Sequence, residues 1–184
     1  MQETDRATRL LLSPNAVTRM LRDFVALPIL RNHWVQKELF AKLAQLDVNY
    51  RDCRLSQHEG SWKTKLKAGD RAPDVAFQIG SSGDVTTVFK LVQPMQPIAL
   101  VGKRPTPTLQ AALGKENIRT YFVGSAAAKA SDELVDVYGD FRRLYGMSGD
   151  FFCLIRPDDH IGLFQRPINE TRIRDYLNLL SAGT

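Results

Sequence analysis

The sequence has little sulfur chemistry to offer. Its two cysteines, Cys53 and Cys153, stand far apart in 184 residues, with no C-x-x-C pair and no metal-ligand spacing. That excludes a disulfide scaffold and points to a reducing, cytoplasmic compartment. No G-x-G-x-x-G occurs either; the closest glycine pairs are Gly80 with Gly83 and Gly146 with Gly149. Without such a turn at a helix start there is no ordinary seat for a dinucleotide pyrophosphate. No apolar run approaches the roughly 18 residues that cross a bilayer, so no membrane partner is expected. Met1 is followed by Gln2, Glu3, Thr4 and Asp5 rather than by a basic stretch and an apolar core, and a secretory signal is not expected. His33, His58 and His160 have no recurrent ligand spacing, so no metal site is expected. Asp158-Asp159-His160 come nearest and read more simply as a turn.

What is present describes a core-forming chain, 43% hydrophobic and 24% charged. The length suits one domain, or one domain with an appendage. The net charge of +5 comes mainly from the N-terminal third, where Arg6, Arg9, Arg19, Arg22, Arg31, Lys37, Lys42, Arg51 and Arg54 are spread singly. A nucleic-acid surface would concentrate such charge on one face with aromatics between, so nucleic acid is not expected as a partner.

Periodicity divides the chain. From Asp5 to about Gln57 the pattern is helical, with Met20, Leu21, Phe24, Val25 and Ile29 forming one apolar stripe and Trp34, Val35, Leu39, Leu43 and Leu46 a second. Ser13-Pro14 fits the start of the first helix and Pro28 its end. Between Cys53 and Gly69 the composition turns polar, which marks a boundary. Beyond it, Val75, Phe77 and Ile79 alternate as in a strand, Ser81-Ser82-Gly83-Asp84 is a turn, and a second strand runs from about Val85 to Val88. Ile98 to Val101 reads as a fully buried strand, Thr108 to Leu113 as a helix and Ile118 to Val123 as the next strand. A helix capped by Ser131 is expected to bury Leu134, Val137, Tyr138, Phe141 and Leu144 and to close at Gly146. Phe151 to Ile155 and Ile161 to Phe164 form a hairpin around Arg156-Pro157-Asp158-Asp159. Asn169 caps a last helix, with Ile168 and Ile173 as a staple around it. The order ββ, βαβα, ββα predicts an α/β fold, a thioredoxin-like mixed sheet flanked by helices over residues 66–184, preceded by a helical segment over residues 1–57.

Two segments carry a resemblance. Ala68-Gly69-Asp70-Arg71-Ala72-Pro73-Asp74 resembles the opening segment of the thioredoxin-like C-terminal domains of FAD-dependent aromatic hydroxylases, the flavoprotein monooxygenases of the phenol and polyketide hydroxylase group. Similar segments open peroxiredoxins. Leu144-Tyr145-Gly146, followed by Leu154-Ile155-Arg156-Pro157-Asp158-Asp159-His160-Ile161, is similar to a second stretch of the same family, with Asp159 where that pattern usually has glycine. Arg22-Asp23 and Asn49-Tyr50-Arg51 are similar to the segment that joins the FAD-binding module to this domain. The resemblance implies the non-catalytic, stabilising or dimerising C-terminal part of an aromatic-ring monooxygenase. FAD and NAD(P)H would serve the full-length enzyme and neither would bind this chain. The implied partner is the FAD-binding module or a second copy, with a homodimer as the expected state.

The residues offer few competing sites. The position that holds the reactive cysteines of a thioredoxin reads Gly102-Lys103-Arg104-Pro105-Thr106-Pro107 and contains no thiol. Lys103 and Arg104 beside a helix start either attract an anion or form a solvated surface. Cys153 reads as a buried, inert thiol; Cys53, near Arg51 and Arg54, lies in a polar segment where some reactivity is open. Arg71 between Asp70 and Asp74 reads as a local salt-bridge cluster, and Gly69-Asp70 resembles the element that contacts FAD ribose in a different sequence context. No catalytic, cofactor-binding or metal-binding residue is assigned. The alternatives to the accessory-domain reading are a stand-alone thioredoxin-like binding module and a thiol redox enzyme.

Overall fold

A computed structural model describes residues 49–60, 64–80, 82–92, 96–124 and 130–182. The chain divides into two units, residues 1–47 and 48–184, and every described residue belongs to the second. The helical stripes expected between Ser13 and Leu46, and His33, lie outside the described residues. Within them the helical pattern does not extend to Gln57. Residues 51–55 form turns, and Gln57–Glu59 is a strand at one edge of the sheet.

Among the described residues the sheet has eight strands: β1 (Gln57–Glu59), β2 (Ala76–Ile79), β3 (Val85–Thr87), β4 (Ile98–Val101), β5 (Arg119–Gly124), β6 (Glu133–Val135), β7 (Phe152–Ile155) and β8 (Ile161–Gln165). Their spatial order is β1-β8-β7-β4-β5-β6-β2-β3. β4, β5 and β6 run parallel, whereas β7 is antiparallel to both β4 and β8. β1 returns parallel to β8, pairing Gln57 with Leu163. The described helices are α1 (Val88–Leu91), α2 (Pro107–Lys115), α3 (Asp140–Tyr145) and α4 (Glu170–Ser181).

Strand alternation splits the core into two layers. On one face, Ile98, Leu100, Cys153 and Ile155 pack with Val88 and Leu91 of α1 and Phe141 and Tyr145 of α3. On the other, Ala99, Val101, Phe152 and Leu154 pack with Leu109 and Leu113 of α2 and Ile173, Tyr176 and Leu177 of α4. β4 and β7 are covered on both sides, which is why their sequences are continuously apolar. Asn169 caps α4 by accepting from the Arg172 N–H, and Ile168 and Ile173 both join the second layer.

One expected helix is mostly not a helix. Glu133–Val135 is strand β6, held between β5 and β2, and α3 begins only at Asp140. Gly139 interrupts at φ +68°, and the Asp136 carboxylate caps the short helix by accepting from the Phe141 and Arg142 N–H groups. Of the expected buried stripe, Leu134 and Phe141 are buried, while Val137, Tyr138 and Leu144 are exposed. Pairing on both sides of β6 outweighs local helical periodicity. Gly146 does close α3 in the left-handed conformation, at φ +66°.

Candidate functional site

The loop between β4 and α2 occupies the place where a thioredoxin carries its thiols. Pro107 sits in the first turn of α2, and Thr106 caps the helix by accepting from the Leu109 N–H at 3.3 Å. The Thr106 hydroxyl in turn donates to Glu170 at 2.7 Å, and its N–H donates to the same carboxylate at 3.3 Å. The positive end of α2 is thus already matched by a carboxylate from the start of α4. Arg104 bonds Asp132 at 2.9 Å and Glu133 at 2.6 Å, and its guanidinium lies over Phe122, 5.4 Å from the ring centre. The hydrogen bond to Asp132, then that to Glu133, raises the Arg104 pKa further. The anion affinity considered for Lys103 and Arg104 is met at Arg104 by side chains of the chain itself. Gly102 donates its N–H to the Phe151 carbonyl at 3.0 Å, and a Cβ there would lie 1.8 Å from the Gly149 oxygen. The loop therefore rests against the main chain that leads into β7.

The thiols and histidines lie elsewhere. Cys153 is fully buried on β7, and burial pushes its thiol pKa far up, as an inert core cysteine requires. Cys53 is exposed in a turn. His58 on β1 packs on Phe164 and accepts from the Ala68 N–H at 3.4 Å. Burial, and then the nearby Lys67, lower its pKa. His160 directs Nδ1 to the Asp158 carbonyl at 2.7 Å, inside the turn expected from the sequence. Burial, the largest single influence on Asp158, raises its pKa, but the hydrogen bond and charge of Arg156 together with the His160 N–H and ring lower it more, and the net shift is downward. Asp159 takes φ +62°, in the left-handed region that favours glycine and that aspartate enters more readily than most residues. Among the described residues, no three His, Cys, Asp or Glu side chains are placed to hold a metal ion.

The two segments that carry the family resemblance meet in space. Gly69 donates to the Ile161 carbonyl and accepts from the Tyr50 N–H, both at 2.7 Å. Ile161 donates to Asp70 at 3.0 Å and Ala72 to Asp159 at 2.7 Å. The Asp70 carboxylate accepts from Arg51 at 2.6 and 2.8 Å and from the Lys67 N–H at 2.8 Å. Arg71 reaches Asp159 at 3.4 Å, and Tyr50 sits edge-on to His160 with ring centres 4.8 Å apart. Pro73 is anchored by the Tyr145 hydroxyl at 2.7 Å, and Asp74 accepts from the Phe89 N–H at 3.0 Å, just after α1 begins. Arg71 thus pairs across to the hairpin turn rather than with its neighbours Asp70 and Asp74. The arrangement is a clamp that ties the chain ahead of β2 to the β7–β8 hairpin. Its side chains are partnered with one another.

A second feature was not legible in the sequence. At the carboxyl ends of β4, β5 and β6 lies a cleft of about 720 Å³, lined by Phe122, Val135, Tyr138, Phe141, Arg142 and Phe151 among others. Open α/β sheets commonly place ligand-binding clefts at this end. Gly139, in the middle of the supposed helix, was the available signal that residues 136–139 leave it and turn outward.

Three solved structures resemble this architecture. The flavin-dependent monooxygenase PieE, solved with FAD and substrate, matches 98% of this chain with a TM-score of 0.55 at 14% identity; the match spans 32% of that protein. BexE, studied for oxidation during BE-7585A biosynthesis, matches 94% of this chain at 0.52 and 17% identity, over 31% of its own length. A thiol peroxidase from Chromobacterium violaceum matches 70% of this chain at 0.53 and 9% identity, over 98% of its own. The fold is thioredoxin-like. No family model and no curated protein matches the sequence. The chain spans about a third of the length of the two oxygenase-related structures.

Two places that could meet parts of FAD are engaged within the chain. The Asp70 carboxylate, which would have to receive ribose hydroxyls, is held by Arg51 and Lys67. The start of α2, where a pyrophosphate would be received, is taken by Glu170.

Proposed function

We propose that this chain is the non-catalytic C-terminal part of an FAD-dependent aromatic-ring monooxygenase. Its role is to stabilise an enzyme that hydroxylates a phenolic or polyketide substrate with NAD(P)H and oxygen. The observation that carries the reading is coverage. Both oxygenase-related structures match nearly all of this chain, whereas the free-standing peroxidase matches 70% of it. The clamp supports the same reading, because the residues that resemble the hydroxylase pattern hold the domain's own opening segment to its hairpin. FAD and NAD(P)H then belong to another module, which is the partner of this domain alongside a second copy of the chain.

The peroxidase, matched over almost its entire length, favours a second reading in which the domain stands alone as a binding module. A thiol enzyme fits poorly, since Cys153 is interior and the loop before α2 has no cysteine. Two measurements test the proposal. These 184 residues, purified with excess FAD, should stay colourless and should neither reduce insulin disulfides nor consume peroxide. Stoichiometric flavin retained by them overturns the division of labour. In the native source the sequence should occur within, or bound to, a flavoprotein; a free polypeptide of this length with no flavoprotein attached sinks the accessory role.

A further inference from the structure

The cleft at the carboxyl ends of β4, β5 and β6 has a lining of definite chemistry. Phe141, Met147 and Phe151 line it and are buried, with the Phe141 ring centre 5.5 Å from that of Phe151 and 4.5 Å from that of Tyr145, on which it stacks. Phe122 is half-buried and Tyr138 stands 69% exposed, so aromatic surface reaches from the interior to the rim. Two charged residues belong to the lining, and they differ in what they meet. The Asp136 carboxylate is matched by the Phe141 and Arg142 N–H groups at 3.2 and 3.0 Å. The Arg142 guanidinium has no hydrogen bond or ion pair among the described residues, whereas Arg143, beside it, pairs with Asp140 at 2.6 Å. Ser148 also lines the cleft, and neither its hydroxyl nor its N–H has a partner among the described residues. The uncompensated charge of the cleft is therefore positive, and it lies beside aromatic rings.

We propose that this cleft binds a small, flat aromatic carboxylate. A hollow of about 720 Å³ falls within the range of about 300–1,000 Å³ that encloses small ligands. The carboxyl ends of parallel strands are also where open α/β sheets receive them. A guanidinium takes a carboxylate through two parallel N–H bonds, which suits an exposed arginine with no partner of its own. The ring of the ligand packs offset or edge-on against the Phe122, Phe141 and Tyr138 rings. An aliphatic acid forfeits those ring contacts, a neutral arene leaves Arg142 unmatched, and an aromatic cation meets it with like charge. These residues take the ligand by themselves, whatever module adjoins the domain, so the site and the flavoprotein reading stand or fall separately.

Titration of the full chain with cinnamate, followed by amide chemical shifts, decides it. Saturable shifts are expected at residues 136–142 and 147–151, with a millimolar or tighter Kd. Cinnamyl alcohol, which keeps the ring and loses the charge, and cyclohexanecarboxylate, which keeps the charge and loses the ring, should each bind more weakly. Arg142→Gln should weaken cinnamate by about tenfold or more and leave cinnamyl alcohol unchanged, and Arg142→Lys should recover part of the loss. Tyr138→Ala should weaken cinnamate and cinnamyl alcohol alike, by about threefold or more. Both side chains are exposed, so far-UV circular dichroism should be unchanged. Should a variant lose its fold, the parent must still prefer cinnamate to both analogues and bind it less tightly as salt is added. No saturable binding, shifts centred on other residues, equal affinity for either analogue, or cinnamate affinity indifferent to Arg142→Gln overturns the proposal.

Discussion

The clamp makes a sharp prediction at Gly69. Its φ of +90° lies in the left-handed region, where a side chain costs about 1–2 kcal/mol. A Cβ there would also fall 2.4 Å from the Arg51 nitrogen and 2.5 Å from the Tyr50 carbonyl carbon, which are main-chain atoms that cannot rotate away. The relief is to push residues 50–51 off Gly69. That breaks the bond from Tyr50 and strains the one to Ile161, each contributing about 1 kcal/mol net. Gly69→Ala should therefore destabilise by about 3–4 kcal/mol, lowering the melting temperature by on the order of 10 °C. Gly114 is the control. It lies in α2, exposed, with nothing within 4 Å of an added Cβ, so Gly114→Ala should stabilise by about 0.5–1 kcal/mol. Urea unfolding followed by far-UV circular dichroism reads both. A Gly69→Ala loss below about 1 kcal/mol, or a loss of similar size at Gly114, would show that the Tyr50–Gly69–Ile161 contact does not hold the domain together.

Three further outcomes are expected. Tyr176 donates its hydroxyl to the Leu55 carbonyl at 2.8 Å, and burial pushes its pKa up to about 12. Its contribution is complete below about pH 10 and is lost as pH rises through 12, so Tyr176→Phe should make the alkaline loss of stability less steep; an unchanged slope refutes the assignment. His58 has the opposite sense. With its pKa held below the usual value, stability is full above about pH 6.5 and falls as the pH drops through that value toward the folded-state pKa. Urea midpoints for His58→Gln across that range should therefore vary less than the parent's, and equal variation contradicts the account. A thiol reagent should modify Cys53 at once and Cys153 only on unfolding, whereas equal rates would contradict the burial of β7.

How much could be read beforehand depended on where each segment's partners lie. β4, β7 and β8 are buried on both faces and therefore announce themselves as apolar runs. The caps Thr106 and Asn169 and the closing Gly146 are local devices, and Thr106-Pro107 is the same cap-and-proline start that Ser13-Pro14 offers, although the sequence reading began that helix at Thr108. β1 was hidden because it is an edge strand of Gln, His and Glu, whose ladder to β8 and whose Glu59–Gln165 contact at 3.1 Å come from the far end of the chain. α1, only Val88–Leu91, reads like a continuation of β3 until Thr87 caps it by accepting from the Lys90 N–H. Residues 131–144 have helical spacing, yet β6 is decided by its neighbours on either side. The clamp was visible as two motifs, but not as one place. The cleft was invisible because the side chains of Val137 and Tyr138 were read as interior.

The pairing of β1 with β8 bears on how the domain is made. Glu59 and Gln165 are 106 residues apart, and Thr106 waits for Glu170 across 64. A growing chain therefore leaves the ribosome with β1 unmatched and the start of α2 uncompensated until the β7–β8 hairpin and α4 have appeared. Such distant contacts slow folding, because loop closure is costly before any contact stabilises it. Closure of this domain is consequently a late event in synthesis, after any module encoded upstream has had time to fold. A truncation before Ile161 would remove the only neighbour of β1 among the described strands and expose the flank of β7, giving a product suited to aggregation rather than to a smaller version of the same domain.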